Sequence, residues 1–311
     1  MTTGATLSEH PAETAAPGRP GRFSLDGRQR YLMFVAPALA VMGAVIVFPW
    51  LFTLFMSVHD WRIGQAEHSF VGLGNYRKLL GDERFIGAVI RTLYYTVLAV
   101  VLPLVLGVVS ALIFHRRFPL RGLLRGIFIM PMMATPVAVG LVWTMMFHPQ
   151  LGVLNYLLSL VGIPPQLWVF DQATVIPSLV LVETWQWTPL VMLIVLGGLA
   201  ALPTEPYESA LIDGASPWQM FRNITLPLVL PFIIVAAIIR TIDAVKAFDT
   251  IFVITLGGPG TASETINLYL YTSAFAFYDI GYASAMVVVF FIVILALCFL
   301  LLFMRQRAQW T

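Results

Sequence analysis

Tyr282-Ala-Ser-Ala-Met-Val-Val-Val-Phe-Phe-Ile-Val-Ile-Leu-Ala-Leu-Cys-Phe-Leu-Leu-Leu-Phe-Met304 contains no Asp, Glu, Lys or Arg. A helix needs about 20 apolar residues to cross a bilayer. Lipid offers the backbone no hydrogen-bond partner, so such a run must be helical. Working back from it, five more apolar stretches of spanning length occur, at Tyr31–Ser57, Thr92–Phe114, Ile127–Phe147, Thr174–Ala200 and Leu228–Phe252. Pro103, Pro131, Pro136, Pro177 and Pro189 lie inside them. Packed neighbours in a membrane bundle tolerate such kinks.

Composition agrees. The chain has 311 residues, 59% hydrophobic and 11% charged, with mean hydropathy +0.85. A soluble domain carries roughly 25% charged residues, so an ordinary soluble fold is excluded. The fold class is an all-α integral membrane protein with six transmembrane helices. Residues 1–29 hold no apolar run and read as a disordered tail. A cleavable signal peptide is not expected there, since the first long apolar stretch starts only at about Tyr31 and no cleavage pattern follows soon enough.

A net charge of +2 gives no case for nucleic acid, but the placement of the charges is informative. Arg19, Arg22, Arg28, Arg30, Arg116, Arg117, Arg121, Arg125, Arg222, Arg305 and Arg307 fall on one side of the predicted spans. Arg62, Arg77, Lys78, Arg84 and Arg91 fall on the other, all in the first outer loop. The positive-inside rule then expects both termini in the cytoplasm.

The loop between the fourth and fifth spans, about 202–227, has its own helix signals. Thr204 is a candidate N-cap, with Glu205 and Pro206 in the first turn. Tyr207, Ala210 and Leu211 are expected on one face. Gly214 suits a C′ position. Ser216, Pro217 and Gln219 form a candidate capping box with proline at N1, and Pro227 is expected to mark the next break. Two short helices folded about Gly214 are predicted, either as a solvated hairpin or as a docking surface.

Glu208-Ser209-Ala210, three residues, Gly214-Ala215, then Phe221, Ile224 and Leu226-Pro227 resembles the EAA loop of bacterial ABC-importer permeases. Ser209 replaces that pattern's middle alanine. Phe70-Val-Gly72-Leu-Gly74-Asn75-Tyr76 is similar to a first-outer-loop motif of carbohydrate-importer permeases. Phe252-Val-Ile-Thr255-Leu-Gly257-Gly258-Pro259 and Tyr278-Asp-Ile-Gly281-Tyr282-Ala283-Ser284-Ala285 resemble two further segments of theirs. The resemblance covers about residues 31–304. It points to the first of two permeases in a sugar importer of the maltose, trehalose and glycerol-phosphate type.

The resemblance implies a permease domain over 30–311 in the bacterial inner membrane, working by alternating access. Its implied partners are a second permease, two ATPase subunits and a periplasmic or lipid-anchored sugar-binding protein, with membrane lipid around them. It also implies that Glu208, Ser209, Ala210, Asp213, Gly214, Ala215, Phe221 and Pro227 form the coupling surface, with Glu208 facing the ATPase. ATP and magnesium would be bound by that partner, with no cofactor in this chain. Lys78 and Lys246 are the two lysines, and neither stands in a phosphate-cradling G-x4-G-K-[ST] motif.

Charges inside a span are functional hypotheses by default. At 100° per residue, Arg240, Asp243 and Lys246 lie within about a 120° arc of the fifth span. They form either a structural ion pair or a lining for sugar hydroxyls. If the substrate carried a phosphate, Arg240 or Lys246 would be suspected first. Glu183, Gln186 and Trp187 share a face of the fourth span and would suit a pyranose ring. Trp143 in the third span either lines the same path or packs. The rival reading is a secondary transporter or channel using Arg240, Asp243, Lys246 and Glu183 as an ion relay. Cys298 is alone, so it makes no intrachain disulfide or cysteine-based zinc site. His10, His59, His68, His115 and His148 form no metal motif, no Ser/His/Asp arrangement stands out, and an enzyme is not expected.

Overall fold

A computed structural model describes residues 27–65 and 67–308. The tail expected over 1–29 lies, up to residue 26, outside the described residues. The chain divides into two units, residues 1–51 and 52–311. Described residues of the first form α1 (Gly27–Met42), a π-helical turn at Gly43–Val47 and the beginning of α2 (Phe48–Ser57).

The second unit opens with a two-residue hairpin pairing His59–Asp60 with Ser69–Phe70. Next come α3 (Gly74–Leu80), α4 (Glu83–His115), α5 (Arg121–Met133), α6 (Pro136–Met146), α7 (Val153–Leu160) and α8 (Val175–Ala200). After them follow α9 (Glu205–Ile212), α10 (Pro217–Met220), α11 (Leu226–Val245), α12 (Asp249–Thr255), α13 (Ile266–Tyr271) and α14 (Ile280–Ala308). Five described helices are long and apolar enough to cross a membrane, and the count reaches six if the bent pair α5–α6 is one broken span.

α8 is the centre of the bundle, with 67% of its most apolar window buried, against 28% for α4 and α14. A helix that is apolar all round belongs inside, and α8 has residues buried on every face. α4 lies along it through small residues, as membrane helices pack. Ala99 and Ala111 are fully buried, and a methyl group added at Gly107 would stand 2.5 Å from the Val191 side chain. We therefore expect Gly107→Val to destabilise the fold by about 1–3 kcal/mol through overpacking. Detergent melting would read this as a lowered transition, and an unchanged transition would contradict the contact.

The third predicted span is not one straight helix. α5 and α6 meet at a bend of 98°. The residue before a proline is pushed out of the helical region. Thr135, just before Pro136, is extended at ψ 141°, and Ala134 is too at ψ 144°. The fifth span also differs from the expected Leu228–Phe252. Its helical run starts at Pro217 and ends at Val245, and the residues beyond form the separate α12. Nor does Pro227 break the chain. A π-helical turn at Phe221–Thr225 joins α10 to α11, with the Leu226 amide donating to the Phe221 carbonyl. That widened turn lies where the proline ring would otherwise crowd a carbonyl. The second predicted short helix is therefore the first turn of a long one.

Candidate functional site

Arg240 is fully buried on α11, and its Nη2 donates to Glu183 Oε1 on α8 at 2.6 Å. Its guanidinium also lies over the Trp187 ring, 5.0 Å from the centroid. Asp243 Oδ2 stands 4.0 Å from Arg240 Nη1, beyond hydrogen-bond range. The pairing that sequence spacing favours, Arg240 with Asp243, is thus secondary to one made between helices. Lys246 caps the end of α11 and is exposed.

Glu183, Trp187, Asp243 and Lys246 nevertheless share one hollow of about 280 Å³, together with Phe248, Asp249 and Thr250. Four of the residues expected along a substrate path therefore converge. Arg240 stands behind them as the buried partner of Glu183 and is not itself a lining group. Gln186 departs from the expected set. It is almost fully buried, and its Nε2 donates to the Ala134 carbonyl at 3.1 Å, so it ties α8 to the break between α5 and α6. Trp143 lies elsewhere too. It packs edge-on to Trp185, with centroids 5.7 Å apart, and both line a separate apolar hollow of about 460 Å³.

The 202–227 loop folds into the predicted knuckle. Thr204 occupies the N-cap position of α9 but makes no side-chain cap bond. Ala210 is buried and Tyr207 half-buried, whereas Leu211, expected beside them, is 62% exposed. α9 ends in a Schellman arrangement. The Ala215 amide donates to the Ala210 carbonyl at 2.9 Å and the Gly214 amide to the Leu211 carbonyl at 3.2 Å, with Gly214 at φ +73°. The Ser216–Gln219 capping box is present in both directions. Tyr207 Oη donates to Thr225 Oγ1 at 3.1 Å, bracing α9 against the π-helical turn. Glu208, Ser209, Asp213 and Pro227 are exposed, while Ala215 and Phe221 are half-buried. Leu211, Ile212 and Trp218 add 62%, 87% and 65% exposed apolar side chains to this end.

At the opposite end lies a network that no short-range pattern announced. Arg84 grips Glu264 with two bonds, Nε to Oε2 at 2.8 Å and Nη2 to Oε1 at 2.7 Å. Arg91 Nε donates to the Glu264 backbone carbonyl at 2.9 Å. Lys78 reaches Asp279 at 3.5 Å. The basic segment between α2 and the first turns of α4 is thus tied through Arg84 and Arg91 to Glu264, just before α13, and through Lys78 to Asp279, just before α14. Asp82 caps α4 and accepts from the Tyr269 and Tyr282 hydroxyls. Burial pushes the Asp82 carboxyl up, but those two bonds and the amides of Phe85 and Arg84 outweigh it, and its pKa falls below the ordinary 3.8. Burial first, then Asp82, raises the Tyr269 hydroxyl to about 12.

A carboxyl whose pKa is lower folded than unfolded stabilises the fold above the unfolded value and loses this as pH falls through the folded one. The Asp82 tie is thus at full strength above about pH 4 and lost below it. Asp82→Asn is expected to shrink the drop in melting temperature between pH 6 and pH 3. An equal drop in wild type and variant would contradict the tie.

The family described as binding-protein-dependent transport system inner membrane component matches residues 103–308. The Thermococcus litoralis trehalose/maltose transport system permease protein MalF is 37% identical, covering 87% of this chain and 91% of its own. The Mycobacterium tuberculosis trehalose transport system permease protein SugA is 32% identical, covering 96% of each. A crystal structure of a bacterial ABC transporter involved in the import of the acidic polysaccharide alginate contains a similar chain. It superposes with TM-score 0.78 at 22% identity, covering 90% of this chain and 96% of that one. At that identity the likeness speaks for the fold. A multi-pass bundle of this fold, with more than half its length matched by one family, belongs to the inner-membrane permease components of binding-protein-dependent ABC transport systems.

Proposed function

We propose that the chain is one of two permeases in an ATP-driven importer of a neutral sugar, and that the Glu183–Trp187–Asp243–Lys246 hollow lies on its substrate path. That hollow carries the reading. Carboxylate oxygens of Asp243 and Asp249 can accept from sugar hydroxyls, while Lys246 and Thr250 can donate. Trp187 and Phe248 offer aromatic surface to the apolar C–H face of a pyranose. A volume of about 280 Å³ lies just below the range of ligand pockets, roughly 300–1,000 Å³, and leaves room for a sugar ring.

Charge narrows the class. Glu183 neutralises Arg240, leaving Asp243 and Asp249 against Lys246. A phosphorylated or uronic sugar would meet an excess of carboxylate, and Arg240 is too deeply committed to serve it. The names of the trehalose and maltose relatives point the same way. The rival ion relay fares worse, because its arginine is locked to a single carboxylate and the knuckle has no role in a secondary carrier.

In this reading the knuckle faces the cytoplasm, with both termini, and seats in a cleft of an ATPase subunit. Glu208, Asp213, Leu211 and Ile212 are the exposed groups that can meet it, and Gly214 shapes the turn. ATP and magnesium belong to that partner. A second permease completes the path, and a periplasmic or lipid-anchored binding protein delivers the sugar. The test is uptake by the assembled transporter and its binding protein in proteoliposomes. ATP-dependent accumulation of maltose or trehalose is expected. Accumulation of glucuronate or a sugar phosphate in their place would overturn the neutral-sugar reading.

A further inference from the structure

A third hollow, of about 860 Å³, lies where the last turns of α4, the end of α8 and the α9–α10 knuckle meet. Its α4 wall runs from Val109 and Leu112 to His115 and Arg116. It changes from apolar to basic within two helical turns, as a surface does where hydrocarbon gives way to headgroups. Tyr207 and Trp218 line the other wall, both amphipathic residues of the kind enriched at that boundary.

The basic side is built up further. Residues 115–125 contain His115, Arg116, Arg117, Arg121 and Arg125 and no acid. Arg121 Nη1 folds back to within 3.4 Å of the Arg116 carbonyl and 3.5 Å of the His115 carbonyl, bringing a second guanidinium to the end of α4. No described carboxylate forms an ion pair with Arg116, Arg117 or Arg121. The knuckle's acids, Glu205, Glu208 and Asp213, do not line the hollow.

We propose that this hollow is a binding site for an anionic phospholipid of the knuckle-side leaflet. Its phosphate sits against Arg116 with Arg121 behind it, and an acyl chain runs along Val109 and Leu112. Occupancy would brace the knuckle against the membrane ends of α4 and α8. A zwitterionic lipid offers the same phosphate but adds an ammonium to a site already rich in guanidinium, which repels it, so the site discriminates by headgroup.

Trp218 provides the probe. The assembled transporter is placed in nanodiscs containing brominated phosphatidylglycerol or brominated phosphatidylcholine. Subtracting the fluorescence of Trp218→Phe from wild type isolates this residue among the chain's eight tryptophans. Phosphatidylglycerol is expected to quench Trp218 at a mole fraction about fivefold lower than phosphatidylcholine, the preference one juxtamembrane basic residue supplies. Arg116→Gln is expected to abolish that preference. Equal quenching by both lipids would mean ordinary surrounding lipid, and no quenching by either would mean that protein covers the hollow. Each result overturns the proposal. Native mass spectrometry of wild type and Arg116→Gln gives a reading independent of Trp218. Phosphatidylglycerol retained by the first and lost by the second is expected, and equal retention would refute the site.

Discussion

Arg240→Ala is expected to cost the fold about 3–5 kcal/mol, because it leaves a buried carboxylate without its counter-ion. Glu183 is 5% exposed and Arg240 fully buried, so the pair is held largely out of water. A lining role for Arg240 would put the loss mainly on transport. Burial moves it onto assembly. Replacing both partners, Glu183→Gln with Arg240→Met, removes the uncompensated charge and is expected to restore most of the accumulation. The double variant is still expected to transport poorly, since Glu183 lines the hollow. Immunoblotting of membranes and detergent melting measure the first effect, and uptake measures the second. If Arg240→Ala accumulates like wild type, the pair does not hold α8 to α11.

The second large effect concerns the knuckle. Proline at Gly214 is expected to break coupling while the transmembrane bundle stays folded. Proline fixes φ near −65° and has no N–H, whereas Gly214 sits at φ +73° and donates to the Leu211 carbonyl. Nothing lies within 4 Å of a methyl group built there, so the injury is to the backbone turn and not to packing. A local cost of about 3 kcal/mol would unfold the α9–α10 corner and with it the proposed docking surface. Glu208→Lys reaches the same end without strain, by reversing charge on an exposed face. Both variants are expected to lose at least tenfold in uptake, a coupling loss of about 1.4 kcal/mol or more. ATP hydrolysis would persist without stimulation by the loaded binding protein. Wild-type uptake at equal expression in both would remove the knuckle from the coupling path.

The features legible in the sequence are those set by short-range physics. Spans announce themselves because lipid demands long apolar runs, and the knuckle because caps, Gly214 and Pro217 act within one turn. Helical periodicity places Glu183 and Trp187 on one face. It does not say which helix that face meets. The Arg240–Glu183 pair joins residues 57 apart, and Arg84–Glu264 joins residues 180 apart. For Arg240 sequence spacing favoured the local Asp243, and for Arg84 it offered no partner. The arc assigned to Arg240, Asp243 and Lys246 holds only while the helix continues, and α11 stops at Val245. The 98° bend was half visible, since Pro136 marks the break, but its angle is set by what α5 and α6 pack against. Gln186 shows the same limit. Its amide reads as a substrate contact until the bend places the Ala134 carbonyl within its reach.

As one permease of an importer, this chain is expected to be driven by separate ATPases. Purification of a tagged copy from its host in mild detergent, with the co-purifying subunits identified and weighed, tests it most directly. A second six-span permease and two copies of an ATPase are expected with it. Recovery of a homo-oligomer without ATPase, still transporting in proteoliposomes under an ion gradient, would contradict it.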